Sequence, residues 1–208
     1  MKVIAINGSP KKAGNTYHAL KSAVEEFESA GIECEIINVG GENIRGCIAC
    51  GACGRNKNGK CIIDDKVNEI IPKMAEADGI IISSPVYYAS IAGTMKCFLD
   101  RAFYVASANG GLFRHKVGAS VAVARRSGEV ATFDHLNHYL TLSEMFVASS
   151  SYWNVAHGQT PGQVIMDEEG IQTIQIMAKN MIFLLKAIDS AKKELPIKEP
   201  KIWTNFIR

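Results

Sequence analysis

Apolar residues fall in short blocks separated by glycine-rich breaks, and their period changes from block to block. Lys2–Ile6 is an apolar run that ends in the turn sequence Asn7-Gly8-Ser9-Pro10 and reads as a strand. From Asn15 to about Ala30 apolar residues recur at Leu20, Val24 and Phe27, a helical spacing, and Gly31 is placed to end the helix. Glu33–Val39 reads as a second strand, and residues 40–60, rich in Gly, Cys and Asn without any period, as a loop. Asp64-Asp65 puts acids at the start of a helix running to about Ala77. Gly79–Ser83 holds three consecutive isoleucines, as expected of a strand covered on both faces of a parallel sheet. Beyond a loop, Ser84–Gly93, the pattern predicts a helix from Thr94 to Ala106 and a fourth strand from Lys116 to Ala124. It then predicts a helix from Glu129 to Met145, a fifth strand within Phe146–Val155, and a long helix from Asp167 to Lys193. Pro196 and Pro200 stop that helix from continuing into the tail, where Trp203 needs a surface to cover it.

Alternating strands and helices define an α/β chain. The expected architecture is a doubly wound five-stranded parallel sheet with helices on both faces, built from residues 1–193, followed by a tail, 194–208. Such sheets bind ligands beyond the carboxyl ends of their strands. The loops after strands one, three and four are therefore the first places to look for chemistry.

Composition narrows the class. With 208 residues, 47% hydrophobic and 21% charged, the chain can bury a large core and is not disordered. Its 23 Lys plus Arg nearly balance 21 Asp plus Glu, which argues against a nucleic-acid partner. No apolar run reaches the roughly 18 residues that span a bilayer, and the apolar start is too soon broken for a signal peptide. A cytoplasmic location without a membrane partner is the expectation, and there six cysteines do not read as a disulfide framework.

Loop one, Asn7 to Thr16, offers small and hydroxyl residues at a helix start together with Lys11 and Lys12. Free N–H groups there suit an anion. Neither the triphosphate loop pattern nor the dinucleotide glycine fingerprint is present, which leaves a phosphate monoester as the better fit. The alternative is a plain turn with Ser9 or Asn15 capping the helix. Loop three, Ser83 to Gly93, combines Pro85 and Val86 with adjacent Tyr87 and Tyr88. Aromatic surface beside backbone amides suits a flat heteroaromatic ring, unless both tyrosines pack beneath the loop.

Gly8-Ser9-Pro10 with Asn15-Thr16, then Ser84-Pro85-Val86-Tyr87, then Lys96 and Asp100-Arg101, resemble the flavodoxin-like NAD(P)H-dependent FMN reductase superfamily. The resemblance covers roughly Met1 to Gly128. It implies FMN, with its phosphate on Ser9, Lys11, Asn15 and Thr16. It implies the isoalloxazine against Pro85, Val86, Tyr87 and Tyr88, with Ser90 and Ile91 nearby. Ala124-Arg125-Arg126-Ser127-Gly128-Glu129 resembles the family's second ring-contacting loop, unless those arginines merely edge a solvated turn.

Cys47, Cys50, Cys53 and Cys61 have the spacing C-x2-C-x2-C-x7-C. Thiols at short intervals wrap the corners of a cubane, and four thiolates per cluster is the normal number. Gly46, Gly51, Gly54 and Gly59 permit the positive φ that wrapping requires. The spacing resembles the compact motif of the iron–sulfur flavoproteins, a branch of the same superfamily, and implies a [4Fe-4S] cluster beside FMN. Three other readings stay open: zinc, which usually takes two separated cysteine pairs; a thiol switch at Cys47 and Cys50; and a motif without metal. Cys34 and Cys97 read as small buried hydrophobes, and His135 with His138 as structural or surface residues.

The resulting expectation is an FMN-dependent electron-transfer oxidoreductase. Its expected partners are ferredoxin or NAD(P)H, with a homodimer or homotetramer built in part through Phe146–Pro161 and the tail. A cluster-free reductase of FMN or quinones and an FMN-binding redox sensor are the alternatives.

Overall fold

The computed structural model describes residues 1–204 and Phe206. The predicted alternation forms β1 (Lys2–Asn7), α1 (Asn15–Ser29), β2 (Glu33–Asn38), a short helix α2 (Ala52–Asn56), α3 (Lys66–Glu76) and β3 (Gly79–Tyr87). There follow β4 (Ser90–Ile91), α4 (Gly93–Ala108), β5 (Val117–Ala124), α5 (Glu129–Leu142), β6 (Phe146–Val147), β7 (Val155–His157) and α6 (Glu168–Ser190). The sheet runs β2-β1-β3-β5-β6, with β4 beside β3 and β7 beside β5. β1 pairs in parallel with β2 and β3, and β3 with β5. Leaving out the β4 hairpin, this is the 2-1-3-4-5 order of the flavodoxin-like fold, whose switch point lies between β1 and β3.

Successive strand residues point to opposite faces, so the isoleucine block feeds two cores. Ile80 and Ile82, with Ile4 and Ile6, meet Val67, Ile70, Met95, Phe98 and Leu136 from α3, α4 and α5. Ile81, with Val3, Ala5 and Val121, meets Leu20, Phe27 and Met177 from α1 and α6. Helices thus cover both faces, and every parallel strand delivers its following loop to one edge.

The expected fifth strand is divided. β6 pairs with Val117–Gly118 and β7 with Ala122–Ala124, so together they fill one sheet position. Between them Asn154, 1% exposed, bridges the gap. Its Nδ2 donates to Ser120 O at 3.0 Å, its carbonyl accepts from Ala122 N–H at 3.0 Å, and Ser150 Oγ donates to its Oδ1 at 2.7 Å. Two further expectations need correction. β3 runs past Ser83 to Tyr87, and Trp203 in the tail is 80% exposed, its ring met by the Lys201 ammonium at 4.4 Å. Residues 205, 207 and 208 of the expected tail lie outside the described residues. Cys34 and Cys97 are half-buried, packed against the two cores, and burial pushes the Cys34 thiol up to about 12.

Asn154→Ala removes both side-chain partners from a buried gap. A loss of about 1–3 kcal/mol in urea-midpoint stability is expected, whereas Asn180→Ala, an exposed donor to Ser149 O, should move stability by under about 0.5 kcal/mol.

Candidate functional site

The loops that follow the parallel strands meet at the carboxyl edge of the sheet. Gly8 N–H donates to Ser83 O at 2.9 Å, which ties loop one to the end of β3. Asn38 Nδ2 donates to Ser9 O at 2.8 Å, which ties it to the end of β2. A Cβ on Gly158, just past β7, would stand 2.8 Å from Asn15 Nδ2, so that segment closes on loop one as well. A Cβ on Gly128 would stand 2.9 Å from Ala89 Cα and 3.0 Å from Val86 Cγ1, and Gly128 itself has φ +94°. Only glycine lets the loop after β5 lie this close to the β3–β4 hairpin.

Loop one is shaped for an anion. Ser9 is buried, its N–H held by Asn7 Oδ1 at 3.0 Å and its Oγ accepting from Lys11 N–H at 3.2 Å. Neither Ser9 nor Asn15 caps α1, contrary to the plain-turn alternative. Gly14 occupies the N-cap, with no side chain to offer, and Asn15 Oδ1 accepts instead from Val164 N–H at 3.2 Å. Thr16 is buried and Lys11 exposed. The first turn of α1 therefore keeps its positive end toward the rim.

The second group of candidates forms a hairpin rather than the expected loop. Val86 pairs with Ile91 and Tyr87 with Ser90, so Tyr88-Ala89 is a two-residue turn. Both turn residues are left-handed, at φ 51° and 55°, conformations that cost a non-glycine residue about 1–2 kcal/mol. Tyr87 is 49% exposed and Tyr88 fully exposed, so neither packs beneath the turn. Pro85 and Val86 are half-buried, while Ile91 and Ala124 turn their side chains into the interior. Ser90 Oγ lies 3.1 Å from His135 Nδ1. Arg125 and Arg126 are exposed and share a cavity of about 350 Å³ with His157, Gln163 and Asp167. Glu129 Oε2 is buried without a hydrogen-bond partner, and its Oε1 stands 3.6 Å from His157 Nε2.

The cysteine loop leaves the same edge after β2 and drapes along α4. Cys47, Cys50, Cys53 and Cys61 all line one small cavity of about 20 Å³, together with Arg101, Tyr104 and Val105. Residues 47–50 are exposed and Gly51 is half-buried, and Ala49 and Gly51 are left-handed. Among the described residues, no group of three or more His, Cys, Asp or Glu side chains stands arranged to hold a metal ion. Burial pushes the Cys53 thiol above its ordinary value, and Cys61 and Cys50 add to the rise against the Gly54 N–H. Four thiols in the wall of one cavity are the donor type that iron–sulfur clusters use, and the charge of such a cluster would offset the mutual repulsion of the thiolates.

Sequence spacing did not disclose the supports of this loop. Asn68 Oδ1 accepts from Cys61 N–H at 2.8 Å and its Nδ2 donates to Cys61 O at 3.0 Å. Asn109 Oδ1 accepts from Gly59 N–H at 2.9 Å. Arg101, 1% exposed, donates from Nη1 to Arg45 O at 3.3 Å and from Nη2 to Ile63 O at 2.9 Å, gripping the loop at both ends. The same guanidinium holds the Asp65 carboxylate by a fork at 2.5 and 2.9 Å. Asp65 in turn caps α3 by accepting from Val67 N–H at 3.1 Å. No local signal marks partners so far apart in sequence.

Comparison with known proteins agrees with this geometry. The family model described as NADPH-dependent FMN reductase matches residues 1–160. An iron–sulfur flavoprotein of Methanocaldococcus jannaschii is 34% identical over 195 residues, 90% of this chain and 99% of that one. An iron–sulfur flavoprotein of Methanosarcina thermophila is 32% identical over 196 residues, 90% of this chain and 97% of that one. Among solved structures, RosB with bound 8-demethyl-8-formylriboflavin-5'-phosphate covers 100% of this chain and 92% of its own, with a TM-score of 0.70. At 17% identity that likeness is one of fold. The strand order, the rim of loops and these matches together place the chain in the NADPH-dependent FMN reductase family, as an FMN-dependent flavoprotein oxidoreductase.

Proposed function

We propose that this oxidoreductase holds a [4Fe-4S] cluster on Cys47, Cys50, Cys53 and Cys61 and exchanges electrons between it and FMN bound at the carboxyl edge of the sheet. The observation that carries this reading is the single cavity lined by all four thiols with a buried arginine in its wall. The iron–sulfur flavoprotein relatives, matched over 90% of this chain, support it.

FMN supplies electron transfer in pairs or singly and a cluster supplies it one electron at a time, so together they join hydride donors to one-electron carriers. The chain's part is binding and tuning. Ser9, Lys11, Asn15 and Thr16 at the free end of α1 take the phosphate. Pro85, Val86, Tyr87, Tyr88, Ser90 and Ile91 flank the ring from the hairpin; Ala124, Arg125, Arg126, Gly128 and Glu129 flank it from the loop after β5. The strained Tyr88-Ala89 turn is consistent with a ligand-shaped hairpin. Arg125 and Arg126 put positive charge where a reduced ring gains electron density, which raises its potential. Arg101 lies eight residues along α4 from Gly93, which sets the cysteine cavity about 12 Å of helix away from the rim. NAD(P)H or ferredoxin serves as the electron partner. Exposed Tyr152 and Trp153, stacked edge to face at 4.6 Å, favour association into a homodimer or homotetramer through the segment that interrupts the fifth strand.

Anaerobic preparation tests the cluster. About four iron per chain, with absorption beyond the flavin bands and loss of that iron in Cys53→Ser, is expected. One zinc per chain, or an iron-free protein whose flavin NADPH bleaches rapidly, contradicts it. Gly128→Ala should strain the β5 loop by about 1–3 kcal/mol and weaken FMN binding roughly tenfold or more in a fluorescence titration; unchanged affinity would remove that loop from the ring site. Light scattering should give a mass at least twice the monomer's at micromolar concentration, and a monomer refutes the association.

A further inference from the structure

The fork of Arg101 uses four of its five N–H bonds on Arg45 O, Ile63 O and the two Asp65 oxygens. The fifth, at Nε, is buried and has no partner. An arginine this deeply buried with one donor left over is an energetic debt unless something completes it. Arg101 lines the cysteine cavity whereas Asp65 does not, so the guanidinium is the end of the ion pair presented to the thiols. Cys61 lines the same cavity, and Arg101 Nη2 holds Ile63 O two residues further along, so the guanidinium and the Cys61 thiol share one wall. Lysine could not do the same work: it lacks the planar fork that grips two carbonyls and a carboxylate at once.

Resting on the cluster reading above, we propose that Arg101 is the potential-setting residue of the cluster: its Nε–H is the donor held for the Cys61 thiolate, and its buried charge favours the reduced, more negative form. Hydrogen bonds to ligand sulfur and local charge are the means by which a protein moves a cluster's potential. Arg101 thus acts on the cluster through its ligand, while Asp65, held on the Nη side of the guanidinium and outside the cavity wall, opposes it by adding a negative charge.

The test is an anaerobic redox titration of iron-loaded full-length protein, with cluster and FMN midpoints followed separately by EPR and visible absorption. Arg101→Gln should lower the cluster midpoint and leave that of FMN in place. Asp65→Asn, which keeps an acceptor for the α3 cap, should raise the cluster midpoint. A cluster midpoint unchanged in both variants overturns the inference, since a purely structural clamp would change iron retention or melting but not the potential. If Arg101→Gln fails to hold iron, Asp65→Asn decides alone: a raised midpoint supports the inference and an unchanged or lowered one overturns it. Wild-type protein that takes up no iron under these conditions fails the cluster reading itself, and the inference falls with it.

Discussion

One buried guanidinium organises the part of this molecule that distinguishes it from a plain flavin-binding sheet. Arg101 sits in α4 with no side-chain exposure and ties down the two ends of the cysteine loop and the first turn of α3. Burying a charge costs several kcal/mol unless it is paired and its hydrogen bonds are met. Here the pairing is with Asp65, and the bonds are with carbonyls that a wandering loop would otherwise leave to solvent. That exchange gives the 46–61 segment, poor in regular structure, a fixed relation to a rigid helix.

The sheet supplies the other half of the arrangement. Parallel strands send their following loops to one edge, and close contacts at Gly8, Gly128 and Gly158 knit the loops after β1, β3, β5 and β7 into a continuous rim. The cysteine loop leaves this same rim after β2, then descends along α4. The nearness of the loop rim to the thiol cavity therefore follows from chain topology together with the anchoring side chains Arg101, Asn68 and Asn109. The open positive end of α1, capped by glycine rather than by a polar side chain, fits the same division between a rigid frame and loops left free for ligands.

Much of this was legible in the order of residues. The isoleucine block announced a strand buried on both faces because a parallel sheet covered by helices leaves no polar side. The cysteine spacing marked four thiols for one place, and the structure sets all four in the wall of one cavity. The divided fifth strand was not legible: its continuity depends on Asn154 reaching Ser120 across the sheet, a contact between residues 34 positions apart. The Tyr88-Ala89 turn was hidden for a different reason, since neither residue carries the glycine or asparagine signature of a left-handed turn. Arg101 could be read as part of a family motif, but its purpose depends on partners 36 to 56 positions earlier in the chain. Helix α2 was hidden because five residues inside a glycine-rich loop show no period.

The account stands on the four thiols acting as one ligand set within reach of FMN. The most direct measurement is the low-temperature EPR spectrum of anaerobically prepared, chemically reduced protein. It should contain the signal of a reduced cluster that disappears in Cys61→Ser while the flavin absorption of that variant persists. A spectrum with no cluster signal in the wild type, or a signal untouched by loss of Cys61, would contradict the account.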